Sequence, residues 1–170
     1  MSADALRALV LVITANSTPW LLARLFGSHW AVPLDFGCLL RDGQPLFGNH
    51  KTWRGVIGAV IATSIVGRMS GLGWVTGGAF GALALVGDAL SSAIKRRLRF
   101  PPGTEIAVVD QAAEALLPMV LLARPLGLDL FSGAVAAAVF VILDLPGTMV
   151  RRGARALWQA VIHSNRGHGA

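Results

Sequence analysis

Apolar residues in this chain come in long unbroken runs separated by short polar stretches. They show neither the alternation of a half-buried strand nor the single stripe of a helix lying on a soluble core. Five runs are predicted to be helices: residues 5–26, 55–69, 72–94, 105–123 and 128–150. The third, at 1.5 Å per residue, reaches about 34 Å, enough to cross about 30 Å of hydrocarbon with some tilt. The second is short for a full crossing and is expected to start inside the preceding loop. The expected architecture is an all-α integral membrane protein of about five transmembrane helices, with residues 1–170 forming one domain.

Composition strengthens that reading. Of 170 residues, 54% are hydrophobic and only 14% charged, and mean hydropathy is +0.62. A soluble domain carries about 25% charge. The net charge of +6 therefore does not imply nucleic acid: the cations lie between apolar spans, without an aromatic-interleaved basic stripe. Cys38 is the sole cysteine, which excludes an intramolecular disulfide and a Cys-based zinc site. The start, Met1-Ser2-Ala3-Asp4, lacks the cationic region of a signal peptide, so the first run is expected to be retained.

Charge also predicts orientation. With five spans, twelve of the fifteen Lys and Arg residues fall on one side, and only Arg7, Arg68 and Arg124 on the other. The positive-inside rule then places the N-terminus outside and the loops around Lys51 and Lys95 in the cytoplasm. Residues 151–163 alternate cations with Leu157, Trp158, Val161 and Ile162, the pattern of an amphipathic helix at an anionic surface. Gly73, Gly77 and Gly81 recur every four residues and are expected to serve close helix packing.

The chemistry concentrates in two places. The first is 87–111: Gly87-Asp88, Ser91-Ser92-Ala93-Ile94-Lys95-Arg96-Arg97, Pro102-Gly103 and Asp110-Gln111. Acids at a membrane edge cost free energy and need a partner or a task. Asp110 and Glu114, four apart, share a helix face. Together with Asp88 they could grip a hard divalent cation, while Lys95, Arg96 and Arg97 suit a polyphosphate. Helix-end clamping and positive-inside anchoring account for the same cations. The second place is the first loop: residues 33–37, Arg41-Asp42-Gly43, and Gly48-Asn49-His50-Lys51-Thr52-Trp53-Arg54-Gly55. Cations at the start of a helix make an anion site. The spacing here is not a P-loop. No Gly-x-Ser-x-Gly elbow is present, and His29, His50, His163 and His168 are expected to be loop or interface residues. Asp144 ends an apolar run, and a transporter or proton relay on Asp88, Asp110, Glu114 and Asp144 stays open, although these acids cluster toward one side.

The run Lys51-Thr52-Trp53-Arg54-Gly55, followed in order by Gly87-Asp88 and Ile94-Lys95-Arg96-Arg97, resembles the CDP-archaeol synthases, small five-span membrane cytidylyltransferases distantly similar to the CDP-diacylglycerol synthases. Two features depart from the broader cytidylyltransferase signature. No Lys-Asp pair follows the basic run, and Asp110-Gln111-Ala112-Ala113 stands where that signature has Asp-Arg-x-Asp. His163 and Asn165 are similar to the family's tail. The resemblance implies transfer of CMP from CTP to a lipid phosphate at a site facing the cytoplasm in the inner membrane. It implies Mg²⁺ on Asp88, Asp110 and Glu114, and catalytic roles for Lys95, Arg96, Asp88 and Asp110. It implies substrate binding by Lys51, Thr52, Arg54, Arg97, Ser92, Asp35, Asp42 and Gln111. Phosphatidic acid is the alternative lipid substrate, since the headgroup chemistry is the same. The partners expected are CTP, the lipid phosphate and the bilayer, with no nucleic acid; a homo-oligomer is left open.

Overall fold

The structure, a computed structural model, describes residues 2–100, 104 and 106–144. The expected tail helix, His163 and Asn165, and Pro102-Gly103 lie outside the described residues. Among the described residues the chain is helical, with no named strands: α1 (Ala3–Phe26), α2 (Trp53–Met69), α3 (Trp74–Arg97), α4 (Ala107–Leu121), the single turn α5 (Ala123–Leu126) and α6 (Leu130–Asp144). Two of these, α1 and α3, are long and apolar enough to cross a membrane. The expected fourth span is broken at Leu122, where α4 stops and α5 begins.

Helix ends follow from local chemistry. The Ser2 hydroxyl accepts the Ala5 N–H at the start of α1, and the Thr52 hydroxyl accepts the Gly55 N–H at the start of α2. α3 runs past the expected end at residue 94 and takes Lys95, Arg96 and Arg97 into its last turn. Cations are favoured there by the negative end of the helix dipole.

Packing rests on missing side chains. A Cβ on Gly77 would lie 2.2 Å from the Thr63 carbonyl oxygen, and one on Gly81 would lie 2.2 Å from the Thr63 hydroxyl, so α2 and α3 touch through backbone. These two glycines pack as expected. Gly73 does not: it closes the α2–α3 turn at φ +88° with open space around it. Gly87 brings α3 against α4, where a Cβ would lie 2.2 Å from the Ala113 carbonyl oxygen. Gly87→Ala is expected to cost about 1–3 kcal/mol through forced separation of these helices, read as a lower Tm in detergent. An unchanged Tm would mean that α3 and α4 part freely. The core gathers Leu11, Val12, Phe80, Leu126 and Phe140, whereas Ile57, Ile61 and Ile65 stand outward at four-residue spacing along α2. An aliphatic stripe turned outward suits hydrocarbon, not water.

Candidate functional site

The loop between α1 and α2 folds around one carboxylate. Asp35 accepts the backbone N–H groups of Gly37 (3.1 Å), Phe47 (3.0 Å) and Gly48 (3.1 Å). Burial works to raise its pKa, but those N–H donors outweigh it and hold the carboxyl below its ordinary value. The loop is further tied by the Leu34 N–H to the Lys51 carbonyl (2.7 Å) and the Trp53 N–H to the Val32 carbonyl (3.0 Å). These contacts turn Lys51 inward, and its ammonium forms an ion pair with Asp88 of α3.

Lys51 and Asp88 belong to the wall of a cavity of about 690 Å³. The last three turns of α3 supply Asp88, Ser92, Lys95 and Arg96; α4 supplies Asp110, Gln111 and Glu114; α6 supplies Asp144. Lys95 is buried and donates to both Asp110 oxygens, at 2.7 and 2.6 Å, and to the Thr104 carbonyl at 3.1 Å. Asp110 also accepts the Ile106 N–H at 3.0 Å. Arg96, likewise buried, donates through Nη1 to the Phe100 carbonyl at 2.6 Å, while its Nε has no hydrogen-bond partner among the described residues. Gln111 donates to Asp144. Glu114 lies against Asp88, and its Oε2 is buried without a hydrogen-bond partner among the described residues. The wall thus carries ammonium and guanidinium groups for an anion beside an acidic pair with one uncommitted oxygen.

The expected metal set needs correction. Among the described residues no three His, Cys, Asp or Glu side chains converge on one point. Asp88 and Glu114 are together, but Asp110 is drawn to Lys95, because a buried carboxylate takes the nearest available cation.

Three expected substrate contacts also fall elsewhere. Asp35 shapes the loop, as described. Arg97 donates to Asp42 at 2.6 Å and to the Pro45 carbonyl at 2.9 Å, clamping α3 to the loop, and neither Arg97 nor Asp42 lines the cavity. The Asp42 carboxyl is held below its ordinary pKa, first by the Gln44 N–H; slight burial opposes this and Arg97 adds to it. This clamp is exposed, so Arg97→Ala is expected to move Tm by less than about 2 °C in a detergent melt. Arg54 lines the cavity, yet its Nη atoms serve the Gly27 and His29 carbonyls at the end of α1. Thr52 lines the cavity while capping α2.

Other lining residues were not foreseen. His50, expected to be a loop residue, is in the wall, as are Asn49 and Thr104. On α1, residues Val12, Ala15, Asn16, Pro19, Trp20 and Ala23 line the cavity at helical spacing, with Ser17 beside them. The polar break Asn16-Ser17-Thr18 inside an apolar run was the signal for this face.

Residues 5–150 match the CarS-like family described as CDP-archaeol synthase. The chain belongs to that family. A CDP-archaeol synthase of Thermofilum pendens is 35% identical over 102 residues, covering 57% of this chain and 50% of the relative. One from Pyrobaculum calidifontis is 34% identical over 128 residues, covering 71% of this chain and 76% of the relative. The chain thus spans about half the length of the first and about three-quarters of the second. A solved structure of an intramembrane enzyme for archaeal membrane lipids biosynthesis superposes with a TM-score of 0.72 at 27% identity, over 85% of this chain and 92% of that one. Family membership, that fold and the apolar helices make the chain a membrane protein.

Proposed function

We propose that this chain is a membrane cytidylyltransferase. It takes CTP and a lipid phosphate of the 2,3-di-O-geranylgeranylglycerol 1-phosphate type and releases a CDP-lipid of the CDP-archaeol kind plus pyrophosphate. One observation carries the reading: Lys51, Lys95 and Arg96 converge from loop and helix end onto a cavity that also holds Asp88 and Glu114. Membership of the CDP-archaeol synthase family supports it.

In this reading a lipid phosphate oxygen attacks the α-phosphorus of CTP. The bond from that phosphorus to the bridging α–β oxygen breaks, and pyrophosphate leaves with the electron pair. The nucleophile is already ionised near neutral pH, so no strong general base is required, and rate comes from alignment and neutralisation of charge. Lys51, Lys95 and Arg96 take the negative charge that accumulates on the leaving group, and Ser92 and Gln111 lie within the same wall. Asp88 and Glu114 fit Mg²⁺, because a buried carboxylate oxygen without a partner beside a second carboxylate is a hard donor pair. When bound, the ion neutralises triphosphate oxygens. Asp110 fixes Lys95. The reading further places five spans in the cytoplasmic membrane, N-terminus outside, with the cavity mouth facing the cytoplasm, as the distribution of Lys and Arg favours.

The test is transfer of label from [α-³²P]CTP by purified protein in detergent with Mg²⁺. The acceptors are the diether phosphate and phosphatidic acid, each offered alone. A labelled CDP-lipid, formed faster from the diether, is the expected result. Folded protein that labels neither lipid would overturn the reading.

A further inference from the structure

Two polar side chains of α1 take no part in the chemistry above. Asn16 and Ser17 sit within a 24-residue apolar helix, and both line the cavity. Their neighbours spend their hydroxyls on the helix itself: Thr14 donates to the Val10 carbonyl at 2.8 Å, and Thr18 to the Thr14 carbonyl at 2.7 Å. Among the described residues, neither the Asn16 amide nor the Ser17 hydroxyl makes a hydrogen bond to protein. Asn16 is half-buried and Ser17 exposed, so both groups are open to a ligand that enters the cavity.

Their height in the cavity identifies that ligand. Asn16 is ten residues before the end of α1 at Phe26, and Asp88 nine before the end of α3 at Arg97. Both are therefore about 14–15 Å below the ends of their helices. Those two ends lie on the same side, since α2 runs away from it and α3 returns. Deeper in, the lining turns apolar, with Val12 on α1 and Ala84 and Leu85 on α3. Toward the mouth the α3 wall is charged, with Lys95 and Arg96, while the α1 wall stays apolar, with Pro19, Trp20 and Ala23. Asn16 and Ser17 are the polar break in that apolar α1 wall, level with Asp88 on α3. A molecule with phosphate at one end, hydrocarbon at the other and uncharged oxygens between them matches that profile. A nucleotide, polar throughout, does not.

We propose that Asn16 and Ser17 form the seat of the acceptor lipid's glycerol backbone, donating hydrogen bonds to its ether oxygens. The phosphate then points across toward Asp88, level with Asn16, and up toward Lys95 and Arg96, and the chains pass down along Val12 and Leu85. This rests on the proposed function and adds the side of the cavity on which the lipid enters.

Asn16→Leu tests it. The replacement is nearly isosteric, apolar and well suited to a membrane helix. KM for the diether phosphate is expected to rise about tenfold, the loss of one good hydrogen bond. KM for CTP should stay within about twofold and Tm should not fall. A raised KM for CTP with an unmoved lipid KM would assign this wall to the nucleotide and overturn the proposal, as would no change in either. Equilibrium binding of the diether phosphate without nucleotide separates this from the function itself. Binding weakened about tenfold in the variant supports the seat even if wild type turns over no CTP, whereas equal binding refutes it. Should Asn16→Leu fail to fold, Ser17→Ala, which deletes one hydroxyl, carries the same measurements.

Discussion

Lys95→Ala is expected to abolish cytidylyl transfer, by about 10³-fold or more, and to lower stability at the same time. The side chain of Lys95 is 8% exposed and that of Asp110 12%, so truncation strands a carboxylate away from water. Breaking a buried pair from one side costs about 3–5 kcal/mol. The two effects have different origins and can be separated. Lys95→Met combined with Asp110→Asn leaves no unpaired charge and should recover most of the lost Tm, yet no turnover. Retained activity in Lys95→Ala would remove the lysine from the proposed mechanism. Recovery of activity in the double variant would show that its only task is to support α3 against α4.

Asp88→Asn should behave differently. Turnover is expected to fall about 10²- to 10³-fold, with Tm close to the parent. Lys51 and Asp88 are 26% and 18% exposed, and a lysine on a flexible stem released from this pair can turn to water. The diagnostic measurement is a titration with divalent cation at saturating CTP. The concentration for half-maximal rate should move upward in the variant if Asp88 belongs to the acidic pair that grips the ion. Near-parent rates with an unmoved titration would eliminate that assignment. A large loss of Tm would mean that the Lys51–Asp88 contact is structural.

How much was readable beforehand depended on how local each contact is. The run Lys95-Arg96 at the end of a long apolar helix was visible because helix, charge and boundary lie within a few residues, and so were Gly77 and Gly81 as packing positions. Asp35 was taken for a ligand contact. Its true partners, the N–H groups of Phe47 and Gly48, are main-chain atoms 12 and 13 residues away, and backbone donors leave no trace in side-chain identity. Arg97 looked equivalent to Lys95 and Arg96. Helical rotation turns it outward, to an acid 55 residues distant. Asp110 looked like a metal ligand by type and spacing, but the lysine that claims it is on another helix. Asn16 escaped because a run that is apolar on average conceals a single polar turn, although most cavity-lining positions on α1 follow helical spacing.

The resting wall carries its own counterions. Lys51 faces Asp88, and Lys95 faces Asp110, so each of these lysines already answers a carboxylate. A visitor bearing only negative charge would draw off the lysines and leave two aspartates stranded. One bearing only positive charge would do the reverse. A guest that brings both signs at once leaves neither the lysines nor the aspartates unanswered.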